Sequence, residues 1–294
     1  MDPLSDLDGV AWGSLHGTYR SAEDVPRQIM ALISKDAAVR GDALTKLSDA
    51  VVHQGTRWQV SAHVVPFLAR LADDPATPDR AALVTLLRHV GLGARGDRDL
   101  PFDPVAAFDR TVTAEQEAMV VERVYHLEEE FDEDWIDVAD ACAVKWDADA
   151  YRATGQHLDA YRRWLGDPDP EVASPATELL AWFPLDEPTL GALLAADRDD
   201  AVRAGANLAL AHLGVAPEAI VGRMTALLDH PDFAVRVTAA IALAYRLGPD
   251  LPDRALDLLV DAEERDVLPG FPPGWRDRAP RGYVALALRR LGLS

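Results

Sequence analysis

The pattern of apolar positions along the chain predicts helices almost throughout. The segment "EAIVGRMTALLDH" places Ile220, Met224 and Leu228 on one face at helical spacing. Other stretches, such as "AGANLALAHLG" and "VTAAIALAYRLG", are alanine-rich and helical in pattern. The chain is therefore expected to be all-α, with amphipathic helices alternating with alanine-rich ones.

A short motif recurs ahead of the apolar helices. The motif has the form D-x-x-V and begins at Asp36, Asp169, Asp199 and Asp232. Near the C-terminal end, the stretch "RGYVALALRRLG" is a degenerate copy of the alanine-rich helix that follows each motif. Aspartate at a helix start accepts hydrogen bonds from free backbone N–H groups, and a glycine such as Gly248 can close the helix in a left-handed conformation. Each unit is thus read as a helix, a tight turn and a second helix, and such a pair needs stacked neighbours to bury its apolar face.

This pattern resembles the HEAT repeat, including the PBS-lyase-like variety, over most of residues 22–93 and 158–293. The resemblance implies a HEAT-like α-solenoid of antiparallel helix pairs, similar to bacterial HEAT-repeat proteins of unestablished role. We expect residues 1–294 to form one such solenoid: residues 1–93 hold an N-terminal capping helix through Trp12, Leu15 and Tyr19 and the first repeats. Residues 94–150 are an irregular acidic insertion or middle repeat, and residues 151–294 hold the C-terminal repeats.

Composition narrows the classes of partner. With 49 acidic against 29 basic residues, the formal charge is −20, a field that repels phosphate backbones and anionic lipid surfaces. Neither nucleic acid nor a membrane is therefore expected as a partner. Cys142 is the only cysteine, which leaves no disulfide and no cysteine metal cluster. A scarcity of lysine suggests a bacterial source, and the absence of a leader-like or membrane-spanning segment suggests the cytoplasm.

The acidic insertion contains the first candidate binding residues. Eight of the thirteen residues from Glu128 to Asp140 are acidic. A calcium loop would need a glycine at its turn, which this segment lacks, so no metal site is predicted. The segment is either a solvated surface or a docking site for a basic protein. The candidate residues are Glu128, Glu129, Glu130, Asp132 and Asp134.

Two further predictions concern the helices on either side of this acidic segment. Thr113 with Gln116 predicts a capping box at a helix start before the segment. A helix through Trp135, Val138, Cys142 and Trp146 should bury the cysteine.

The stretch "VVHQGTRW" contains the second set of candidates, His53, Gln54 and Trp58. In a helix-pair array it falls between two helices. Gly55 would turn the chain, and Thr56 would cap the next helix in a capping box with Gln59. His53 and Gln54 then either cap the end of the first helix or face a ligand.

No motif for covalent, metal or cofactor chemistry is found in the sequence. It holds no G-x-S-x-G, P-loop or G-x-G-x-x-G pattern, and no cofactor is predicted. The sequence therefore favours a non-enzymatic scaffold or adaptor, or a regulatory protein of the immunity type, that recognises a basic partner through a concave, acidic surface. The alternative is an enzyme or small-molecule binder with a pocket near His53, Gln54 and Trp58.

Overall fold

The structure, a computed structural model, describes residues 3–124, 133–214, 217–265, 271–275 and 279–293. The chain divides into two compact units. The N-terminal unit comprises Met1–Arg95 and Asp103–His157, and the C-terminal unit comprises Gly96–Phe102 and Leu158–Ser294. Fifteen α-helices and one two-stranded hairpin make up the described elements, apart from short 3₁₀ turns. The predicted all-α fold class is confirmed, whereas a single domain over residues 1–294 stays a prediction.

The N-terminal unit contains the hairpin and seven of the helices. They are α1 (Val25–Ala31), α2 (Ala37–Val51), β1 (Val52–His53), β2 (Thr56–Arg57), α3 (Gln59–Asp73), α4 (Arg80–Leu92), α5 (Pro104–Ala107), α6 (Ala114–Val124) and α7 (Glu133–Gly155). Helix α7 packs against α3, α4, α6 and β2, so it is the central element of this unit.

The C-terminal unit contains the remaining eight helices. They are α8 (Leu158–Trp164), α9 (Pro170–Ala181), α10 (Glu187–Leu194), α11 (Asp200–His212), α12 (Pro217–Leu227), α13 (Phe233–Leu247), α14 (Asp253–Glu264) and α15 (Pro280–Arg290). Helices α9, α11 and α13 pack side by side, and α8, α10, α12 and α14 pack against them as the first helices of their pairs.

The repeated aspartates cap the second helices, as the motif predicts. Asp36, Asp169, Asp199 and Asp232 each accept a hydrogen bond of 2.9 Å from a backbone N–H in the first turn of the following helix. Gly248 ends α13 with a φ of 53°. Because the cap satisfies donors that lie next to it in the sequence, it forms in every copy regardless of what the helix packs against.

Small side chains bring the second helices close together. A Cβ atom on Gly205 of α11 would lie 2.5 Å from the Thr177 hydroxyl of α9, so the two backbones approach at that point. Between α11 and α13, the amide of Asn207 donates to the Thr238 hydroxyl at 3.2 Å and to the carbonyl oxygen of Val235 at 3.3 Å. Val235 is fully buried, and burying a valine side chain contributes roughly 1.5–3 kcal/mol.

The N-terminal segment differs from the expected capping helix. It forms two 3₁₀ turns, Leu7–Gly9 and Trp12–Ser14, and the chain then doubles back through an isolated β-bridge between His16 and Ser21. Trp12 is buried against Phe67, with ring centroids 5.9 Å apart, but Tyr19 is 62% exposed. Close packing of Gly17, where a Cβ would lie 2.7 Å from the Ala50 carbonyl oxygen, favours the reversal over a helix.

In the described part of residues 94–150, the structure confirms the predicted capping box and the predicted apolar stripe. Thr113 and Gln116 exchange the two hydrogen bonds of a capping box, at 3.0 and 3.2 Å. Helix α7 contains the predicted helical stripe, and Cys142 and Trp146 are buried in a cluster with Val120. None of the described helices is both long and apolar enough to span a membrane.

Candidate functional site

The stretch around His53 forms a β-hairpin that continues α2. Val52 pairs with Arg57 and His53 with Thr56. Gln54 and Gly55 form the two-residue loop with φ of 51° and 85°, as tight hairpin turns require. The prediction that Gly55 turns the chain is confirmed.

The predicted capping box is wrong. Thr56 lies in β2, and α3 begins at Gln59 with Trp58 as its N-cap. The hydroxyl of Ser61 accepts the Trp58 N–H at 2.8 Å and donates to the Val51 carbonyl oxygen at 2.6 Å. Because the hairpin displaces the helix start, Ser61 takes the capping role and the Gln59 side chain is free to reach other partners.

The three candidate side chains at the hairpin have different surroundings. The ring of His53 meets that of Tyr19 edge-on, with 3.0 Å between His53 Nδ1 and the tyrosine hydroxyl. Gln54 is exposed at the turn. Trp58 instead packs on Trp146 with ring centroids 5.6 Å apart. The structure therefore does not gather His53, Gln54 and Trp58 into one pocket, and a binding role for them stays a prediction.

A hydrogen-bonded network lies beside the two tryptophans. We call Gln59, Glu117, Lys145, Trp146 and Asp149 the Glu117 network. Oε1 of Glu117 accepts the Gln59 amide at 2.9 Å and the Trp146 indole N–H at 2.5 Å, while Lys145 Nζ lies 3.3 Å from Oε2. Lys145 also donates to Asp149 at 2.8 Å. Gln59, Glu117 and Lys145 are absent from the sequence-based candidates, since their partners come from separate helices.

Glu117 and Lys145 of this network are both held in their ionised forms. Burial by itself would raise the pKa of Glu117, but hydrogen bonds from Gln59 and Trp146 and the charge of Lys145 outweigh it and lower the pKa. Burial would lower the pKa of Lys145, but Asp149 and Glu117 raise it. General acid–base catalysis needs a group that exchanges protons near neutral pH. This network therefore suits binding rather than proton transfer.

A groove opens next to the network. It has a volume of about 490 Å³. Its lining includes Ser14, His16, Gln59, Glu117, Val121 and Glu122. Gln59 accepts the His16 backbone N–H at 3.3 Å while donating to Glu117, which fixes the orientation of its amide. Burial lowers the pKa of His16, so its imidazole is neutral at neutral pH. Because Lys145 offsets the charge of Glu117, the exposed Glu122 gives this groove its negative charge.

Helices α6 and α7 expose further acidic side chains, and each exposes one large apolar side chain. We call their exposed residues Glu115, Met119, Glu122, Ile136, Asp137 and Asp140 the α6–α7 acidic surface. Met119 is 37% and Ile136 46% exposed, large values for apolar side chains. The two helices pack against one another.

Most of the predicted acidic candidates cannot be placed in this surface. Glu128, Glu129, Glu130 and Asp132 lie outside the described residues. Asp134 belongs to α7, but its side chain is not described. Their predicted binding role therefore stays a prediction.

A buried ion pair anchors the hairpin, and sequence reasoning missed it. Arg57 is 2% exposed; its Nη2 lies 2.6 Å from Asp147 Oδ2, and its Nη1 donates to the Gly55 carbonyl oxygen at 2.9 Å. Burial lowers the pKa of Arg57 to about 10, although Asp147 opposes the shift. A Cβ on Gly93 would overlap the guanidinium, at 1.5 Å from Nη1. The sequence offered one signal for this ion pair. Side chains alternate between the two faces of a β-strand, and this alternation places Arg57 on the buried face of the hairpin.

Comparison with known proteins assigns a family to part of the chain. Residues 187–268, which include α10–α14, match the family model of HEAT repeats. No curated protein matches the chain significantly. Seven chains of solved structures match; one, the crystal structure of an engineered protein, is 17% identical and covers 92% of this chain and 95% of its own, with a TM-score of 0.36. That similarity is too low to support an argument about function. The family match supports HEAT repeats over residues 187–268, where neighbouring helices pack in pairs.

Proposed function

We propose that this protein is a non-enzymatic adaptor that binds a basic partner protein through an acidic surface. The observation that carries the proposal is a HEAT-repeat segment at residues 187–268 in a chain of net charge −20. HEAT repeats generally serve as scaffolds for protein–protein interaction. A strong negative field accelerates encounter with a positively charged partner and disfavours acidic ones.

The α6–α7 acidic surface is the part of the described structure that fits this role best. Met119 and Ile136 supply apolar surface that would be removed from water when a partner binds. Four carboxylates on the same two helices would orient a basic partner around them. Protein interfaces commonly combine a few apolar anchors, which carry most of the affinity, with charged groups that set specificity.

The chemistry of the N-terminal unit supports binding over catalysis. Glu117 and Lys145 hold each other in their charged forms. Burial raises the pKa of the Cys142 thiol to about 11, which leaves it protonated and a poor nucleophile. The alternative of a catalytic or small-molecule pocket at His53, Gln54 and Trp58 is not favoured, because Trp58 packs on Trp146 and away from the other two.

The test compares two variants that change charge equally. The first neutralises the α6–α7 acidic surface by Glu115→Gln, Glu122→Gln, Asp137→Asn and Asp140→Asn. The control neutralises four exposed carboxylates at and before α14, by Asp250→Asn, Asp253→Asn, Asp257→Asn and Glu264→Gln. A fluorescent lysine- and arginine-rich amphipathic peptide serves as the probe, and its anisotropy is titrated at low and high salt.

We expect the wild-type protein and the control to bind the basic peptide at low salt, and the α6–α7 variant to bind about tenfold more weakly. High salt should weaken all three complexes, because screening shortens the range of the field. Equal loss in both variants would mean that net charge alone attracts the peptide. No binding by the wild-type protein would overturn the proposal.

A further inference from the structure

A small cavity lies in the N-terminal unit, between α1, α2 and the loop that precedes α1. Its volume is about 190 Å³, which is enough for several ordered water molecules or for one long amino-acid side chain. We call it the Gln28 cavity. Its polar lining includes Ser21, Asp24, Gln28, Lys46 and Asp49.

The loop that forms one wall of the cavity is held by backbone hydrogen bonds. The Gly17 N–H donates to the Arg20 carbonyl oxygen at 2.9 Å, and the Thr18 N–H donates to the Ala50 carbonyl oxygen at 3.0 Å. The second of these bonds fixes the loop to the end of α2. The space beneath the loop is therefore defined by the fold of this unit.

The two helices present polar side chains to the same space. Asp24 and Gln28 lie four residues apart, so they share one face at the start of α1. Lys46 and Asp49 lie three residues apart in the last turns of α2. The cavity therefore brings together side chains from both helices of the first pair.

Gln28 contributes a buried amide that its neighbours do not satisfy. The residue is 9% exposed. Among the residues that the structure describes, none forms a hydrogen bond with its side-chain amide. Buried amides in proteins almost always bond to another group or to ordered water. Because Gln28 lines the cavity, its amide oxygen and N–H groups are available to a molecule held there.

Most charged side chains around the cavity already have a partner. The ion pairs join Arg20 and Arg27 to Asp24, at 2.9 and 2.8 Å, and Lys46 to Asp42, at 2.7 Å. In the described part of the chain, the carboxylate of Asp49 has neither an ion pair nor a hydrogen bond. The cavity thus holds one uncompensated negative charge together with an unsatisfied amide.

These groups fit a guanidinium ion. A guanidinium is planar, always charged, and has several N–H donors but no acceptor. Asp49 and the Gln28 amide oxygen would accept from such donors. The ring of Tyr19, which lines the cavity and contacts His53 Nδ1 at 3.0 Å through its hydroxyl, offers a face on which a planar cation stacks. An anionic ligand would instead be repelled by Asp49.

We propose that the Gln28 cavity binds a guanidinium group, with Asp49 as its counter-charge, Gln28 as a hydrogen-bond acceptor and the Tyr19 ring as a stacking surface. The group can come from an arginine side chain of a partner protein or from a free small molecule, because both carry the same chemistry. The proposal does not rest on the α6–α7 acidic surface, which belongs to other helices, so the two can fail separately.

The experiment titrates the isotope-labelled full chain with N-acetyl-L-arginine amide and follows side-chain amide resonances by NMR. We expect a saturable shift of the Gln28 amide pair, which is identified by its loss in Gln28→Met. N-acetyl-L-citrulline amide has a similar shape without the charge and should bind at least about tenfold more weakly. An equal affinity for the two probes would overturn the proposal.

Free L-arginine distinguishes the two sources of the group. Its α-carboxylate is unblocked and can approach Lys46 or Arg20 at the cavity. Tighter binding of L-arginine than of the blocked probe would support a small-molecule ligand. Equal or weaker binding would support an arginine side chain of a partner protein, whose backbone carries no such charge.

A matched pair of variants tests the role of Asp49. Asp49→Asn should weaken binding of N-acetyl-L-arginine amide at least about tenfold, because it removes the counter-charge. Glu23→Gln makes the same change of charge at an exposed residue outside the lining and should alter affinity less than about twofold. Both positions are exposed, so both variants should fold. Equal effects of the two variants would overturn the proposal, and so would a wild-type protein whose Gln28 amide does not respond.

Discussion

Arg57 and Asp147 form a buried ion pair, in which Arg57 Nη2 lies 2.6 Å from Asp147 Oδ2. Arg95 reaches the same carboxylate at 3.7 Å. Removing two charges from water is costly, so such a pair adds little stability beyond an apolar replacement, but the loss of one member leaves the other charge uncompensated. The pair holds the hairpin against α7, and thereby sets where α3 begins.

Asp147→Asn should therefore destabilise the protein by roughly 3 kcal/mol, because the buried guanidinium of Arg57 would lose its counter-charge. Urea unfolding followed by circular dichroism measures the change. The control is Asp42→Asn, which breaks an exposed pair with Lys46 and should change stability by less than about 1 kcal/mol. Similar effects for both substitutions would show that burial of Arg57 does not matter.

Gly93→Ala should also disrupt this site. The backbone φ of Gly93 is 63°, and a methyl group there would overlap the Arg57 guanidinium. We expect a loss of about 2 kcal/mol or more in unfolding free energy. Gly41→Ala is the matched control, because Gly41 lies in α2 with open space around it; alanine should be neutral there or stabilise the helix by up to about 1 kcal/mol. A stabilised Gly93→Ala protein would be incompatible with the described packing.

Val235→Asp should unfold the C-terminal unit, because it places a carboxylate at a fully buried position between stacked helices. The expected loss exceeds about 3 kcal/mol. Val39 occupies the same position of the repeated motif but is 44% exposed, so Val39→Asp should change stability by no more than about 0.5 kcal/mol. Thermal melting of the two variants measures the contrast, and equal melting temperatures would show that the repeat register is wrong.

The charge of Glu117 should appear as a pH dependence of stability. Its pKa is lower in the folded protein than in the unfolded chain, so its stabilisation is fully present above the unfolded pKa of about 4.3 and is lost as pH falls through the folded pKa. Glu117→Gln should therefore be less stable than wild type at pH 7. The difference should shrink below about pH 4. Urea titrations between pH 3 and pH 7 measure it, and a constant difference would assign the effect to packing.

Cys142 should be inert in the folded protein. Its side chain is fully buried and burial raises its thiol pKa to about 11. Iodoacetamide at neutral pH should leave the native protein unmodified and should alkylate it completely in urea, as intact mass measures. Rapid alkylation under native conditions would mean that the α6–α7 contact opens frequently.

The sequence by itself determined the elements whose interactions are local. The D-x-x-V motif specified the start of each second helix, because an aspartate side chain reaches backbone N–H groups only two or three residues away. Likewise, the spacing of Thr113 and Gln116 predicted the capping box that these two residues form. The apolar stripe through Cys142 and Trp146 also predicted which face of α7 is buried.

Only the tertiary structure decided how equivalent positions differ and which distant groups meet. Val39 and Val235 share one motif, yet one is exposed and the other buried, because burial depends on whether a neighbouring helix covers the position. The predicted start of α3 at Thr56 is wrong because a hairpin, anchored through Arg57 to α7, overrides the local capping pattern. The indole N–H of Trp275 donates to the hydroxyl of Thr177, which lies 98 residues away in the sequence. Such contacts are selected by the free energy of packing the whole unit, and no short stretch of sequence carries that information.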